Sequence, residues 1–139
     1  MIITDQTILK QKSKKFAGTN VELKNLISLL EKELYDSKIH GVGLSAIQIN
    51  KPIQVAIIRT KDLKLNLFNA KITEANKPII FTKEGCLSIP STFMDTLRYE
   101  AIKIKNGDGL IYELKKYEAV VVQHELDHTA GILFTDRAI

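Results

Sequence analysis

The sequence contains a single cysteine, Cys86, so no disulfide can close within the chain and nothing in it calls for an oxidising compartment. No apolar run approaches the roughly 20 residues that a membrane span needs, which excludes a transmembrane helix. The opening stretch MIITDQTILKQKSKKF places a few apolar residues before its lysines, the reverse of the order in a secretory signal. Export is therefore not expected, and the cytoplasm is the expected compartment. Internal repeats, low-complexity tracts and linkers are also missing, so residues 1–139 are expected to form one domain. Charge massed on one segment is lacking too. The net charge of +4 comes from lysines scattered among acids, which describes a solvated surface and not a nucleic-acid-binding one. No long apolar surface repeat demands a partner, so a monomer is expected.

Hydrophobic residues make up 45% of the chain and charged ones 26%, a balance suited to a folded globular protein. From Thr19 the segment TNVELKNLISLLEKELYDSKIHG carries Leu23, Leu26, Ile27, Leu30 and Leu34 at helical spacing. Thr19 and Glu22 predict a capping box at its start, and Gly41 predicts its stop. GVGLSAIQIN follows, then PIQVAIIRT and KPIIFTKEGCLSIP, whose β-branched runs predict strands. The alternation in AIKIKNGDGLIYEL around NGDG predicts a β-hairpin. KKYEAVVVQHELDHTAG is ambiguous, because Val120, Val121 and Val122 suit a strand while HELDH suits a helix. The order of elements is that of an α+β chain.

Two of the three histidines, His124 and His128, lie four residues apart in QHELDH. On an α-helix that spacing stacks both imidazoles on one face, about 6 Å apart along the axis, where they can converge on a metal ion. Glu125, turned about 100° away, can approach a water at the metal without being forced to ligate it. Chance placement on an exposed helix is the rival reading. A catalytic site needs a third protein ligand and an open position. Only TAGILFTDRAI follows His128, with Asp136 as its sole side-chain carboxylate, so the third ligand is expected upstream. Cys86, His40 and scattered acids remain. Cys86 stands out by its setting in EGCLS after a predicted strand, since a thiolate binds such an ion strongly. His40 is assigned to the last turn of the first helix, where a cation suits the macrodipole.

Three segments, GVGLSAIQ at 41–48, EGCLS at 84–88 and QHELDH at 123–128, closely resemble the three signature motifs of the peptide deformylases, in the same order and at compatible spacing. The resemblance covers most of the chain. It implies antiparallel β-sheets surrounding a central helix that carries the HExxH motif, and so places Tyr117 to Thr129 in a helix. It also implies hydrolytic removal of formate from the formylmethionine that begins a newly made polypeptide. Formylmethionyl peptides and nascent chains are then the partners, with transient proximity to the ribosome.

The resemblance assigns Cys86, His124 and His128 to a divalent ion whose fourth position holds the nucleophilic water. It assigns Glu125 to general acid and base work, and Gln48 with the backbone N–H of Leu87 to the developing oxyanion. Iron(II) is the implied native ion, with zinc, nickel or cobalt able to occupy the site. Val42, Gly43 and Gly85 are placed along the substrate main chain, and Val120 and Val121, with Val42 opposite, around the methionine side chain. Arg98 matches an arginine expected to anchor either local structure or substrate main chain. Two departures stand out. Ser45 occupies a position where the family usually has alanine, implying at most a local hydrogen bond, and the chain stops eleven residues after His128, as in compact forms lacking a further C-terminal helix, including those of bacteriophages. A metalloprotease and a peptide-binding module without hydrolysis are the competing readings.

Overall fold

The computed structural model describes residues 1–39 and 41–139, so the expectation for His40 lies outside the described residues. Its principal helices are α2 (Asn20–Asp36) and α3 (Lys116–Thr129), preceded by a single turn, α1 (Gln6–Leu9), which carries no long periodic signal. The predicted capping box is formed: Glu22 N–H donates to the Thr19 hydroxyl at 3.1 Å, and Thr19 N–H to the Glu22 carboxylate at 3.4 Å. The predicted stop at Gly41 is wrong. The helix ends at Asp36, because Ser37 turns extended (φ −65°, ψ 136°) and its hydroxyl takes up both backbone groups of Ile39.

Strands β1 (Gly43–Ser45), β2 (Val55–Arg59) and β3 (Lys64–Phe68) form one antiparallel sheet in that order. Strands β4 (Lys71–Cys86), β5 (Ile89–Lys105) and β6 (Ile111–Lys115) form a second, also antiparallel, and the predicted NGDG hairpin joins β5 to β6. Both β1 and β4 are therefore edge strands, each with one side unpaired within its sheet.

Strand β2 explains how the layers stack. Val55 and Ile57 point to the cluster under α2, formed with Leu26, Leu30, Leu34, Leu44 and Ala46. Ala56 and Ile58, one residue out of phase, point to a second cluster that joins Leu65 and Leu67 to Ile102, Ile104 and Leu114 of the other sheet. A strand buried on both faces reads as an unbroken apolar run, as VAII does.

Helix α3 lies in that second cluster between the sheets, with Ala119, Val120, Val121 and Val122 all buried. The helical expectation for this segment holds. The strand preference of the valines is worth only tenths of a kcal/mol each, whereas burying each side chain is worth about 1.5–3 kcal/mol. Gln123 fixes the helix against the second sheet: its Oε1 accepts from Tyr99 N–H at 2.9 Å and its Nε2 donates to Tyr99 C=O at 2.8 Å.

Candidate active site

Register shifts in β4 between Phe81 and Glu84, and again between Glu84 and Cys86, mark bulges beside the two residues of β4 that face α3. Bulges re-aim side chains at such places. Lys83 in the first of them has a left-handed φ of 57°, and its N–H donates to Asp95 at 3.1 Å. Cys86 is thereby brought to His124 and His128, and the three ligand atoms lie within 4.8 Å of one another. Cys86 Sγ and His128 Nε2 are 3.4 Å apart. A tetrahedral ion bound at ordinary Zn–S and Zn–N lengths sets sulfur and nitrogen about 3.6 Å apart, so the donor set and its spacing fit a single divalent ion.

The His124 ring is oriented from behind. Its Nδ1 hydrogen-bonds to Glu84 Oε2 at 2.7 Å, leaving Nε2 for the ligand cluster. Glu84, in EGCLS, carries no sign of a role in the sequence, yet it is the most heavily engaged carboxylate of the site. Besides His124 it accepts from Thr96 Oγ1 at 2.7 Å and from Arg98 at 2.9 Å (Nε) and 2.6 Å (a terminal nitrogen). Burial alone raises the proton affinity of the Glu84 carboxyl, but the hydrogen bonds with His124 and Arg98 and the charge of Arg98 outweigh it and hold the pKa down at about 2. The signal that could have found Glu84 is chemical: a ligating imidazole needs an acceptor on its other nitrogen.

Arg98 does not reach the substrate side. It is 3% exposed and absent from the lining of the cleft, with its donors committed to Glu84 and, at 2.6 Å, to Asp127. Asp127 is held in turn by Arg137 at 3.0 and 3.1 Å, which extends the chain of charges to the last turn of the protein.

His128 is buried, and burial first, then the charges of His124 and Arg98, push its pKa well below the ordinary histidine value, so it stays neutral with a lone pair to offer. Its Nδ1 is buried with no hydrogen-bond partner among the described residues. For His124, burial lowers the pKa, but hydrogen bonds with Cys86 and Glu84 outweigh it and carry the value well above the ordinary one. An ion bound at this ring takes the place of a proton.

Glu125 faces the same centre from the next position on α3. Burial raises its pKa, offset only in part by the charge of His124 and by the Ser45 hydrogen bond. Ser45 Oγ lies 3.0 Å from Glu125 Oε1 and 2.9 Å from the Glu125 carbonyl oxygen. The hydrogen bond expected of Ser45 is therefore not local but spans 80 positions, linking the first motif to the third. Gly43 makes room for the other carboxylate oxygen: a Cβ there would stand 2.7 Å from Oε2. Gln48, in the 3₁₀ turn Ala46–Ile49, is buried with its amide orientation set by its partners. Oε1 accepts from Ser45 N–H at 2.9 Å, and Nε2 donates to Ser88 Oγ at 3.0 Å and reaches Cys86 Sγ at 3.7 Å.

A cleft of about 290 Å³ opens over this centre. Gln48, Cys86, Leu87, His124 and Glu125 line it, as do Val42, Gly43, Gly85, Val120 and Val121. Phe81, Phe93 and Tyr117, which carried no signal in the sequence, line it as well.

An α+β scaffold that sets a cysteine sulfur and two imidazoles around one point, with a buried glutamate beside them and a cleft above, is that of a metal-dependent hydrolase. The profile of the polypeptide deformylase family matches residues 1–139. A peptide deformylase of Aquifex aeolicus is 37% identical over 147 residues, an alignment covering 99% of this chain and 85% of that protein. Among solved structures, the peptide deformylase of Thermotoga maritima superposes with a TM-score of 0.89 at 29% identity, covering 100% of this chain and 97% of the other. A probable peptide deformylase from synechococcus phage S-SSM7 superposes with a TM-score of 0.85 at 32% identity, covering 99% and 98%. The chain belongs to the polypeptide deformylase family. It is a metal-dependent hydrolase that removes the N-formyl group from newly made polypeptides. Among the described residues, no helix is long and apolar enough to cross a membrane.

Proposed function

We propose that Cys86, His124 and His128 hold one divalent ion, that Glu125 carries the proton, and that Gln48 and the backbone N–H of Leu87 meet the charge on the formyl oxygen. The observation that carries this reading is the convergence of the three ligand atoms within 4.8 Å in a cleft that Glu125 and Gln48 also line. Bound there, the ion acts as a Lewis acid that brings the pKa of a water into the neutral range.

The rest falls to the chain's own groups. Glu125 accepts a proton from the water as its oxygen attacks the formyl carbon, and returns that proton to the nitrogen as the C–N bond breaks, releasing formate and a free amine. Ser45 engages Oε1, and Oε2 lies beside Gly43, so the carboxylate is held on both sides. Gln48 is oriented before substrate arrives because its Oε1 is already occupied by the Ser45 N–H, which leaves Nε2 to donate.

The peptide enters extended between the unpaired edges of β1 and β4, with Val42, Gly43 and Gly85 along its main chain and Val120 and Val121 beside the methionine. Main-chain pairing of this kind tolerates varied sequence, as a nascent-chain substrate requires. Iron(II) is the ion we assign; the mixed thiolate and imidazole set also accepts zinc, nickel and cobalt. We further assign residues 1–139 to one domain, acting as a monomer in the cytoplasm with transient proximity to the ribosome.

The test is formate release from formyl-Met-Ala-Ser by protein purified without oxygen and loaded with iron(II) or nickel. Release from the wild type that disappears in Glu125→Ala, with metal retained, is the expected result. No release by a wild type of confirmed metal content overturns the reading.

A further inference from the structure

Successive side chains of a strand point to opposite faces, so residues two apart stand side by side. In β1, Leu44 points to the cluster under α2, while Gly43 and Ser45 both meet the same side chain of α3, that of Glu125. A Cβ on Gly43 would stand 2.7 Å from Oε2, and the Ser45 hydroxyl lies 3.0 Å from Oε1. The strand thus forms a seat for the carboxylate, open at one position and bearing a single hydroxyl at the other. Gly43 and Glu125 line the cleft over the ligand cluster, whereas Ser45 is fully buried and does not.

The two oxygens of Glu125 are therefore not equivalent. Oε1 is hydrogen-bonded to Ser45, and Oε2 has no hydrogen-bond partner among the described residues. Ser45 Oγ has one proton and two acceptors within reach, Oε1 and, at 2.9 Å, the Glu125 carbonyl oxygen. A charged oxygen is the stronger acceptor, so against the carboxylate the proton goes to Oε1. The Ser45 backbone is fixed as well: it pairs with Ala56 of β2, and its N–H donates to Gln48 Oε1 at 2.9 Å. A hydroxyl anchored in this way cannot follow a carboxylate that swings, and so holds its plane.

We propose that Ser45 is a positioning residue that fixes which oxygen of Glu125 carries the proton. This inference rests on the deformylase reading and deepens it. With Oε1 held by the hydroxyl, Oε2 takes the proton from the water whose oxygen bonds to the formyl carbon. The same Oε2 gives that proton to the nitrogen as the C–N bond breaks, and the carboxylate is restored as formate and the free amine leave. Without the hydroxyl, the carboxylate turns about its terminal bond, and orientations in which neither oxygen faces the cleft dilute the reactive one. Alanine, the residue usual in the family at this position, has no such donor, so the device belongs to this chain's own sequence.

The experiment measures kcat and KM on formyl-Met-Ala-Ser, per bound metal, for enzyme loaded with iron(II) or nickel. In Ser45→Ala, kcat is expected to fall about tenfold with KM within about twofold of wild type and metal content unchanged. Ser45→Thr keeps the hydroxyl in a residue that suits a strand, and is expected to restore kcat to within about threefold. Ser45→Ala leaves the backbone N–H on Gln48, so combined with Gln48→Ala the two losses in kcat are expected to multiply. A kcat within about twofold of wild type in Ser45→Ala, even with lowered stability to urea, overturns the proposal and leaves Ser45 as a pin between β1 and α3. A rise in KM alone overturns it too, as does a double variant no slower than Gln48→Ala, which would route the effect through Gln48. Ser45→Ala and the double variant decide the matter even where the threonine chain does not fold. Failure of the underlying reading is a different outcome, namely no formate from the metal-loaded wild type.

Discussion

Replacing Glu84 with alanine removes four hydrogen bonds that its carboxylate accepts: one from Thr96, two from Arg98 and one from His124 Nδ1. What remains is a guanidinium whose side chain is 2% exposed and which keeps only Asp127 as a charged partner. Breaking a buried ion pair from one side costs about 3–5 kcal/mol, because the surviving charge stays desolvated without its counterpart. Against a total stability of roughly 5–15 kcal/mol, that is a large share. The same substitution frees the His124 ring to rotate and lowers its basicity, for which the usual consequence is a loss of about 10- to 100-fold in metal affinity. Urea unfolding of the metal-free variant reads the first effect, and chelator competition on the folded variant reads the second. Glu84→Gln keeps the shape and an acceptor but not the charge, and is expected to fall between wild type and Glu84→Ala on both axes. A Glu84→Ala protein within about 1 kcal/mol of wild-type stability and twofold of its metal affinity would refute the reasoning, since it would mean that the guanidinium and the imidazole find other partners at no cost.

Further expectations follow from individual contacts. Gly43→Ala places a Cβ 2.7 Å from Glu125 Oε2 and moves the carboxylate, so kcat is expected to fall on the order of 100-fold with metal content unchanged; a loss below about threefold would argue that the carboxylate has room to shift. Gln48→Ala is expected to lower kcat by about 100- to 1,000-fold while KM changes much less, read by steady-state formate release. Acid stability should carry the mark of Glu84. Its pKa in the folded protein, about 2, lies below the ordinary 4.5, so the stabilisation is fully present above about pH 4.5 and is lost as pH falls from there toward 2. Unfolding free energies of the metal-free protein across that window should fall less steeply for Glu84→Gln than for wild type.

Much of the site was legible because its chemistry is local in sequence. The His124, Glu125 and His128 spacing is a statement about one helix, and the helical repeat alone places those side chains. Cys86 and Gln48 were reachable through the resemblance of their short motifs. The Glu84, Arg98 and Asp127 network was not, because its members are brought together by the bulged register of β4 on β5 and by the packing of α3 on that sheet. No spacing rule relates residues 84, 98 and 127. Arg98 illustrates the difference: its identity suggested an anchor, but only the tertiary structure shows it buried on two carboxylates of the protein, Glu84 and Asp127.

The valine run of α3 and the end of α2 show the same division on the scale of secondary structure. Local propensity left Val120 to Val122 undecided, since a few tenths of a kcal/mol per residue separate the two conformations, and burial on all sides of the central helix outweighs that difference. Gly41 looked like a stop because glycine ends helices well, yet Ser37 ended this one four residues earlier through its own hydroxyl. By itself the sequence determined the candidate ligands Cys86, His124 and His128, the candidate proton carrier Glu125 and, through the order of its elements, the α+β class of the fold, all of which depend on residue identity and short-range periodicity. Tertiary structure alone decided how the His124 ring is held, that Phe81, Phe93 and Tyr117 meet at one cleft, and that Ser45 reaches Glu125, because each of these is a contact between segments whose distance along the chain carries no information about their distance in space.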